Sequence, residues 1–287
     1  MKYFFNNLLH LFIFLSINTL FSKPLVLVSI PPQKEFVKRI AKDKVEVSVL
    51  LGEGASPHSY EPSPKKIVEI SKARIWFTTG VEFERALLDK VKNISSDIII
   101  FDTTRGVKYR TLEEHSDEDE EEHKGKTLDP HIWLGYESVK VQLKNILDGL
   151  VSVLPEEKTH FERNYNDYIS EIDSVFKKLG KKLLPYRGKV VFVYHPAFGY
   201  FFDVFGIKQK AVEVNGKEPS QKDIVRVINE AKKENVRVIF VQKQFSKVAA
   251  EKIAQAIGGK VVQIDPLAEN WLSNIEYMGN ELAKALE

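Results

Sequence analysis

Residues 155–185, PEEKTHFERNYNDYISEIDSVFKKLGKKLLP, decide how the rest of the chain is arranged. Apolar side chains recur at Phe161, Tyr165, Tyr168, Ile172, Val175, Phe176, Leu179 and Leu183, spacings that fall on one face of a helix. Pro155 suits a first helical turn, whereas Pro185 with Gly188 beyond it stops the helix. A helix of roughly 30 residues reaches about 45 Å, long for an element inside a globular domain. It reads as a stiff connector between two parts of the chain.

Both parts alternate strand and helix. Upstream, residues 24–30, 45–51, 74–79 and 97–101 read as strands, with helices over 32–43, 63–73, 81–93 and 137–154. Downstream, residues 189–194, 211–214, 236–242 and 260–264 read as strands, with helices over 220–234, 246–257 and 270–286. Elements of this length and order imply parallel sheets covered by helices. The expected fold is therefore α/β: two lobes, residues 23–154 and 186–287, joined by one long rigid helix over 155–185.

The formal net charge is only +2, with acids and bases scattered, which argues against a nucleic-acid footprint. There is no cysteine, so disulfides, thiolate zinc sites and a lipid-modified N-terminal cysteine are excluded. Residues 1–22, MKYFFNNLLHLFIFLSINTLFS, carry a lysine, an apolar run and then small polar residues. This is the pattern of a secretory signal peptide, and its apolar run is short for a membrane span. Export without a lipid anchor points to the periplasm.

Four side chains with metal-binding chemistry sit where a cleft belongs. His58 lies in a proline-stiffened loop past the second strand. His131 follows Asp129 and Pro130. His195 and Asp265 each end a strand and precede a proline. In open parallel sheets ligands bind beyond the carboxyl ends of strands. Singly, each residue is as well explained as ordinary loop structure; jointly, three histidines and a carboxylate are what a closed tetrahedral zinc site needs. His160, among Glu156, Glu157 and Glu162, reads as a solvated residue.

The strings SPHSYEPSP, DPHIWL, YHPAFGYFFDVFGI, VNGKEPSQKDI and IDPLAENW occur in this order across the chain. Together they resemble the metal-binding solute-binding proteins of ABC transporters, in particular the zinc-type branch. The resemblance implies a monomeric periplasmic protein that captures Zn²⁺ between two lobes and hands it to an inner-membrane ABC permease, with no reaction catalysed. By motif position His58, His131, His195 and Asp265 would be the ligands. Manganese is the alternative cargo, since related proteins carry it with a carboxylate at the third position, where this chain has His195. Pro196 after that histidine and the lack of a glycine in IDPLAENW depart from the pattern without touching a ligand.

Zinc-type relatives often carry a histidine-rich loop where this chain has residues 113–126. Here the segment holds eight carboxylates and only His115 and His123. Such a block is either a solvated spacer or a weak, exchangeable secondary metal collector. Two other functions are conceivable. A zinc hydrolase would need an open metal position and a general base. A siderophore or cobalamin binder would need a cleft of aromatics or arginines rather than imidazoles.

Overall fold

The computed structural model describes residues 22–287 except 96, 113–126 and 215. The expected signal segment, apart from Ser22, and both histidines of the acidic segment lie outside the described residues. Among the described residues no helix is long and apolar enough to cross a membrane.

The first half runs β1 (Leu25–Val28), α1 (Pro31–Ala41), β2 (Glu46–Val49), α2 (Pro64–Ile70), β3 (Ile75–Thr78), α3 (Glu82–Ile94), β4 (Ile99–Asp102) and α4 (Tyr136–Val153). The connector α5 (Lys158–Leu183) has a 3₁₀ turn at each end, Pro155–Glu157 and Leu184–Tyr186. The second half runs β5 (Val190–Val193), α6 (Gly199–Phe205), β6 (Lys208–Ala211), α7 (Gln221–Lys233), β7 (Val238–Gln242), α8 (Val248–Ala256), β8 (Lys260–Ile264) and α9 (Trp271–Leu286). The strands form two all-parallel sheets with the same topology, β2-β1-β3-β4 and β6-β5-β7-β8.

One reading of the sequence needs correction, and one element is unassigned there. The strand expected over 211–214 is β6, three residues earlier. It is an edge strand in which Gln209 and Ala211 point inward while Lys208 and Lys210 are more exposed, so its charge hid it behind the apolar run that follows. The ladder ends just past β6, where the Val212 amide donates to both Val193 and Tyr194 carbonyls. The aromatic run after His195 folds as α6, seven residues of which five are buried and only Asp203 is charged. Gly206 (φ 66°) ends it in the left-handed region.

The connector buries Phe161, Tyr168, Ile172, Phe176, Leu179 and Leu183, six of the eight residues on its apolar stripe, against α1, α4, α6 and α9. It also welds the lobes. One hydrophobic core runs without a break from Val26, Leu27 and Trp76 through Phe176 and Leu179 to Phe201, Phe240 and Trp271. A second cluster, with Phe192, Val227, Ile239 and Ile253, covers the far face of the second sheet. Along β5 the two clusters alternate, Val191 and Val193 facing one and Phe192 the other.

Buried polar bonds cross the same boundary. Trp133 donates its indole N–H to the Pro266 carbonyl (2.8 Å), and Trp271 donates to the Trp133 carbonyl (2.7 Å). Tyr200 donates its hydroxyl to the Asp129 carbonyl (3.0 Å). Hinge closure would break these bonds and open the shared core, and the packed connector resists bending. Scattering curves of the chelator-treated and zinc-loaded protein should therefore nearly superimpose; a clear change in radius of gyration would contradict a rigid frame.

Candidate metal centre

Three loops deliver three imidazoles to one point. His58 lies between β2 and α2, in a loop closed by the Tyr60 hydroxyl bonding to the Leu50 carbonyl (2.5 Å). His131 precedes a 3₁₀ turn, Ile132–Leu134, whose three apolar side chains are all buried. His195 stands two residues beyond β5. The Gln242 side-chain oxygen accepts its backbone N–H (3.2 Å) and the Gln242 amide donates to its carbonyl, so a side chain continues the sheet ladder at this residue.

The Nε2 atoms face one another: His58 to His195 is 3.2 Å and His195 to His131 is 3.2 Å. In a tetrahedral zinc site with Zn–N bonds near 2.0–2.1 Å, donor atoms lie about 3.3–3.4 Å apart. Both pairs are thus already close to coordination spacing, and all three donors lie within 4.8 Å of one another. Among the described residues they form the one group of histidines and carboxylates so placed.

Each Nδ1 has an acid behind it: Glu82 on His58 (3.3 Å), Asp129 on His131 (2.8 Å) and Glu213 on His195 (2.7 Å). A carboxylate accepting from Nδ1–H fixes the tautomer and leaves the Nε2 lone pair directed into the centre. The acids are themselves placed. Glu84 accepts the Thr79 and Gly80 amides (both 2.8 Å), tying the start of α3 to the end of β3 and so positioning Glu82. Asp129 takes a bond from the Arg110 guanidinium (2.9 Å), which lies against Gly199. A Cβ there would sit 1.8 Å from Nη1.

Burial disfavours the charged form of two of the imidazoles. His131 is 3% exposed, and desolvation holds its pKa down at about 4 despite Asp129. His58 is also shifted down, by burial and then by the neighbouring His195. Burial acts to raise the Asp129 carboxyl, but the bonds from His131 and Arg110 outweigh it and hold it below the usual range. The pair is therefore a neutral imidazole donating to a carboxylate. Around the cluster, Pro57, Trp133, Ala197, Phe245, Pro266 and Leu267 leave a cavity of about 20 Å³. That is room for one small ion, and it rules out a siderophore or cobalamin at this point.

Asp265 does not join them. It lies outside the 4.8 Å within which the three histidine donors gather, and its Oδ1 accepts from Gln244 Nε2 (3.0 Å) and the Leu267 amide (2.9 Å). The acids behind the histidines were not singled out in the sequence. Asp129, two residues before His131 and stiffened by Pro130, carried a signal. So did Glu213, a lone acid in an apolar run. Glu82 carried none.

Twin parallel lobes on a helical backbone, with imidazoles converging between them, define a metal-binding solute-binding protein. The chain belongs to the family described as "Zinc-uptake complex component A periplasmic", whose profile matches residues 26–285. It is 30% identical over 256 residues to the high-affinity zinc uptake system protein ZnuA of Bacillus subtilis, covering 84% of this chain and 78% of that one. It is 29% identical to the zinc-binding lipoprotein AdcA of Streptococcus pneumoniae, covering 85% of this chain and 52% of that longer protein. A crystal structure of ZnuA superimposes with a TM-score of 0.84 at 32% identity, covering 92% of this chain and 99% of the other.

Two outcomes follow from this geometry. Asp129→Asn and Glu213→Gln keep shape but replace the charged acceptor behind an imidazole with a neutral amide, so each should weaken zinc binding about 10–100-fold in competition titrations, with the fold intact. Folded His131 takes a proton only near pH 4, while an exposed imidazole does so near 6.5. The stability it leaves intact above pH 6.5 is thus lost as pH falls through this window, by up to about 3 kcal/mol. Glu84, raised by burial to about 7, acts with the opposite sign, its contribution fully present below pH 4.5 and lost as pH rises from there to about 7. Denaturation of chelator-treated protein beside His131→Asn isolates the histidine: the stability gap between them should narrow toward pH 4, and a gap independent of pH would contradict a buried neutral imidazole.

Proposed function

We propose that this protein captures Zn²⁺ in the periplasm on His58, His131 and His195, completes the site with Asp265, and delivers the ion to an inner-membrane ABC permease. The observation that carries this reading is the convergence of the Nε2 atoms at 3.2 Å, each imidazole backed by a carboxylate. Family membership and the zinc-binding relatives support it. Residues 23–154 and 186–287 act as the two lobes, residues 155–185 as their connector, and residues 1–22 as a cleaved signal without lipid attachment. The protein works as a monomer. The acidic segment, with His115 and His123, is at most a weak secondary collector of metal.

Binding, not hydrolysis, is the activity this arrangement favours. Three histidines with an open fourth position would suit a catalytic zinc, but such a site also needs a base facing the bound water. Glu82, Asp129 and Glu213, the nearby acids, are all engaged behind the imidazoles.

Neutral nitrogen donors in a few-coordinate site suit Zn²⁺, whereas Mn²⁺ prefers oxygen and more ligands. Competition titration of both metals tests the assignment. His131→Ala should cost more than about 100-fold in zinc affinity, since losing a donor exceeds losing its support. His195→Glu should move the affinity ratio toward manganese. Unchanged zinc binding in His131→Ala would overturn the site, and an unmoved ratio in His195→Glu would remove His195 as the selector.

A further inference from the structure

We infer that Gln244 is a positioning residue that weakens and speeds zinc exchange by holding Asp265 away from the three histidines. The inference rests on the reading of Asp265 as the fourth ligand. Gln244 lies two residues past β7, beside the residue that clamps His195. Its Nε2 and the Leu267 amide both donate to Asp265 Oδ1, at 3.0 and 2.9 Å. The amide orientation is fixed by chemistry, because a carboxylate only accepts and Nε2 must face it. Oε1 is turned the other way and is buried with no hydrogen-bond partner among the described residues.

Gln244 also stands between two spaces. It and Leu267 line both the small histidine cavity and a broad cleft of about 1000 Å³, whereas Asp265 lines only the cleft. The Asp265 oxygens lie outside the 4.8 Å grouping of the histidine donors. Donors on one tetrahedral zinc are about 3.4 Å apart, so Asp265 has to travel more than about 1 Å to complete the set. It cannot do so while keeping both N–H bonds at their present lengths. The Leu267 bond is local to the Asp265 turn and can travel with it; the Gln244 bond crosses from another loop and is the one exchanged.

Two arrangements of Asp265 therefore compete, one bonded to Gln244 and one completing the histidine site. Whatever stabilises the first lowers the apparent affinity of the second and speeds return from it. The unsatisfied Oε1 fits this role, because the amide is held at one end only and is easily given up. For a protein that must hand its ion onward, such a counterweight favours release.

The experiment is a double-mutant cycle on the full mature chain, measuring zinc affinity by chelator competition and release by stopped flow. Gln244→Ala should bind zinc about tenfold more tightly and release it more slowly, the worth of one bond to a charged group at a partly exposed site. Asp265→Ala should bind more weakly, and adding Gln244→Ala to it should change nothing further. Gln244→Met, which keeps the length but not the amide, should repeat the result if alanine disturbs the loop. Weaker or unchanged binding in both Gln244 variants would overturn the proposal, as would equal tightening without Asp265. Unchanged binding in Asp265→Ala would instead overturn the fourth-ligand reading, and this inference with it.

Discussion

Everything in this molecule answers to one constraint: imidazole nitrogens from loops of both lobes are held 3.2 Å apart with their lone pairs converging. Neutral imidazoles packed with their lone pairs together repel one another, and two protonated rings at this distance would repel more strongly still. Two devices hold them there. Desolvation keeps His131 neutral far below its ordinary pKa, and an acceptor behind each Nδ1 assigns its proton to the outer nitrogen. Rotating the His131 or His195 ring would break a short bond to a carboxylate, and Asp129 is itself held by Arg110.

That spacing survives only if the lobes keep their separation. His58 and His131 belong to the first half and His195 to the second, so a hinge motion of even 1 Å would spoil the spacing. The frame prevents it by sharing one core across the boundary and by the exchange of indole bonds between Trp133, Pro266 and Trp271. A cleft that closes on its cargo has the freedom to open; this one has little. Exchange must then be local, and the imidazoles are unequally placed for it. His58 has 36% of its side chain exposed, against 3% for His131 and 10% for His195, and its bond to Glu82 is the longest of the three.

The fold was legible in the sequence because its elements have strong periods. The connector's stripe, the strand runs KVVFVY and IWFT, and the prolines at both helix ends all point one way. The misplaced strand and the unassigned helix lack a period. In β6 lysines alternate with buried residues over only four positions, and α6 is too short and too uniformly aromatic to show a face. The three histidines were legible by their placement beside prolines in loops. Their supporting acids were harder to assign: Asp129 and Glu213 carried a local signal but Glu82 none, because a second layer of contacts depends on how loops fold back on one another. Glu213 reaches His195 across 18 residues and Glu82 reaches His58 across 24, distances at which no spacing rule operates.

The supporting layer also bears on which ion the site suits. Carboxylates could sit among the direct donors, as harder cations prefer, or behind them. Here three acids stand behind, so their charge is felt by the ion through the imidazoles rather than as oxygen donors. The centre thus combines soft, few-coordinate nitrogen with a strongly negative surround, and Arg110 offsets part of that charge at Asp129. A dication gains Coulomb energy from the surround whatever its identity, so the acids raise affinity without discriminating. The inner donors bear on identity instead: three imidazole nitrogens near tetrahedral spacing match zinc better than manganese, which prefers oxygen donors and more of them.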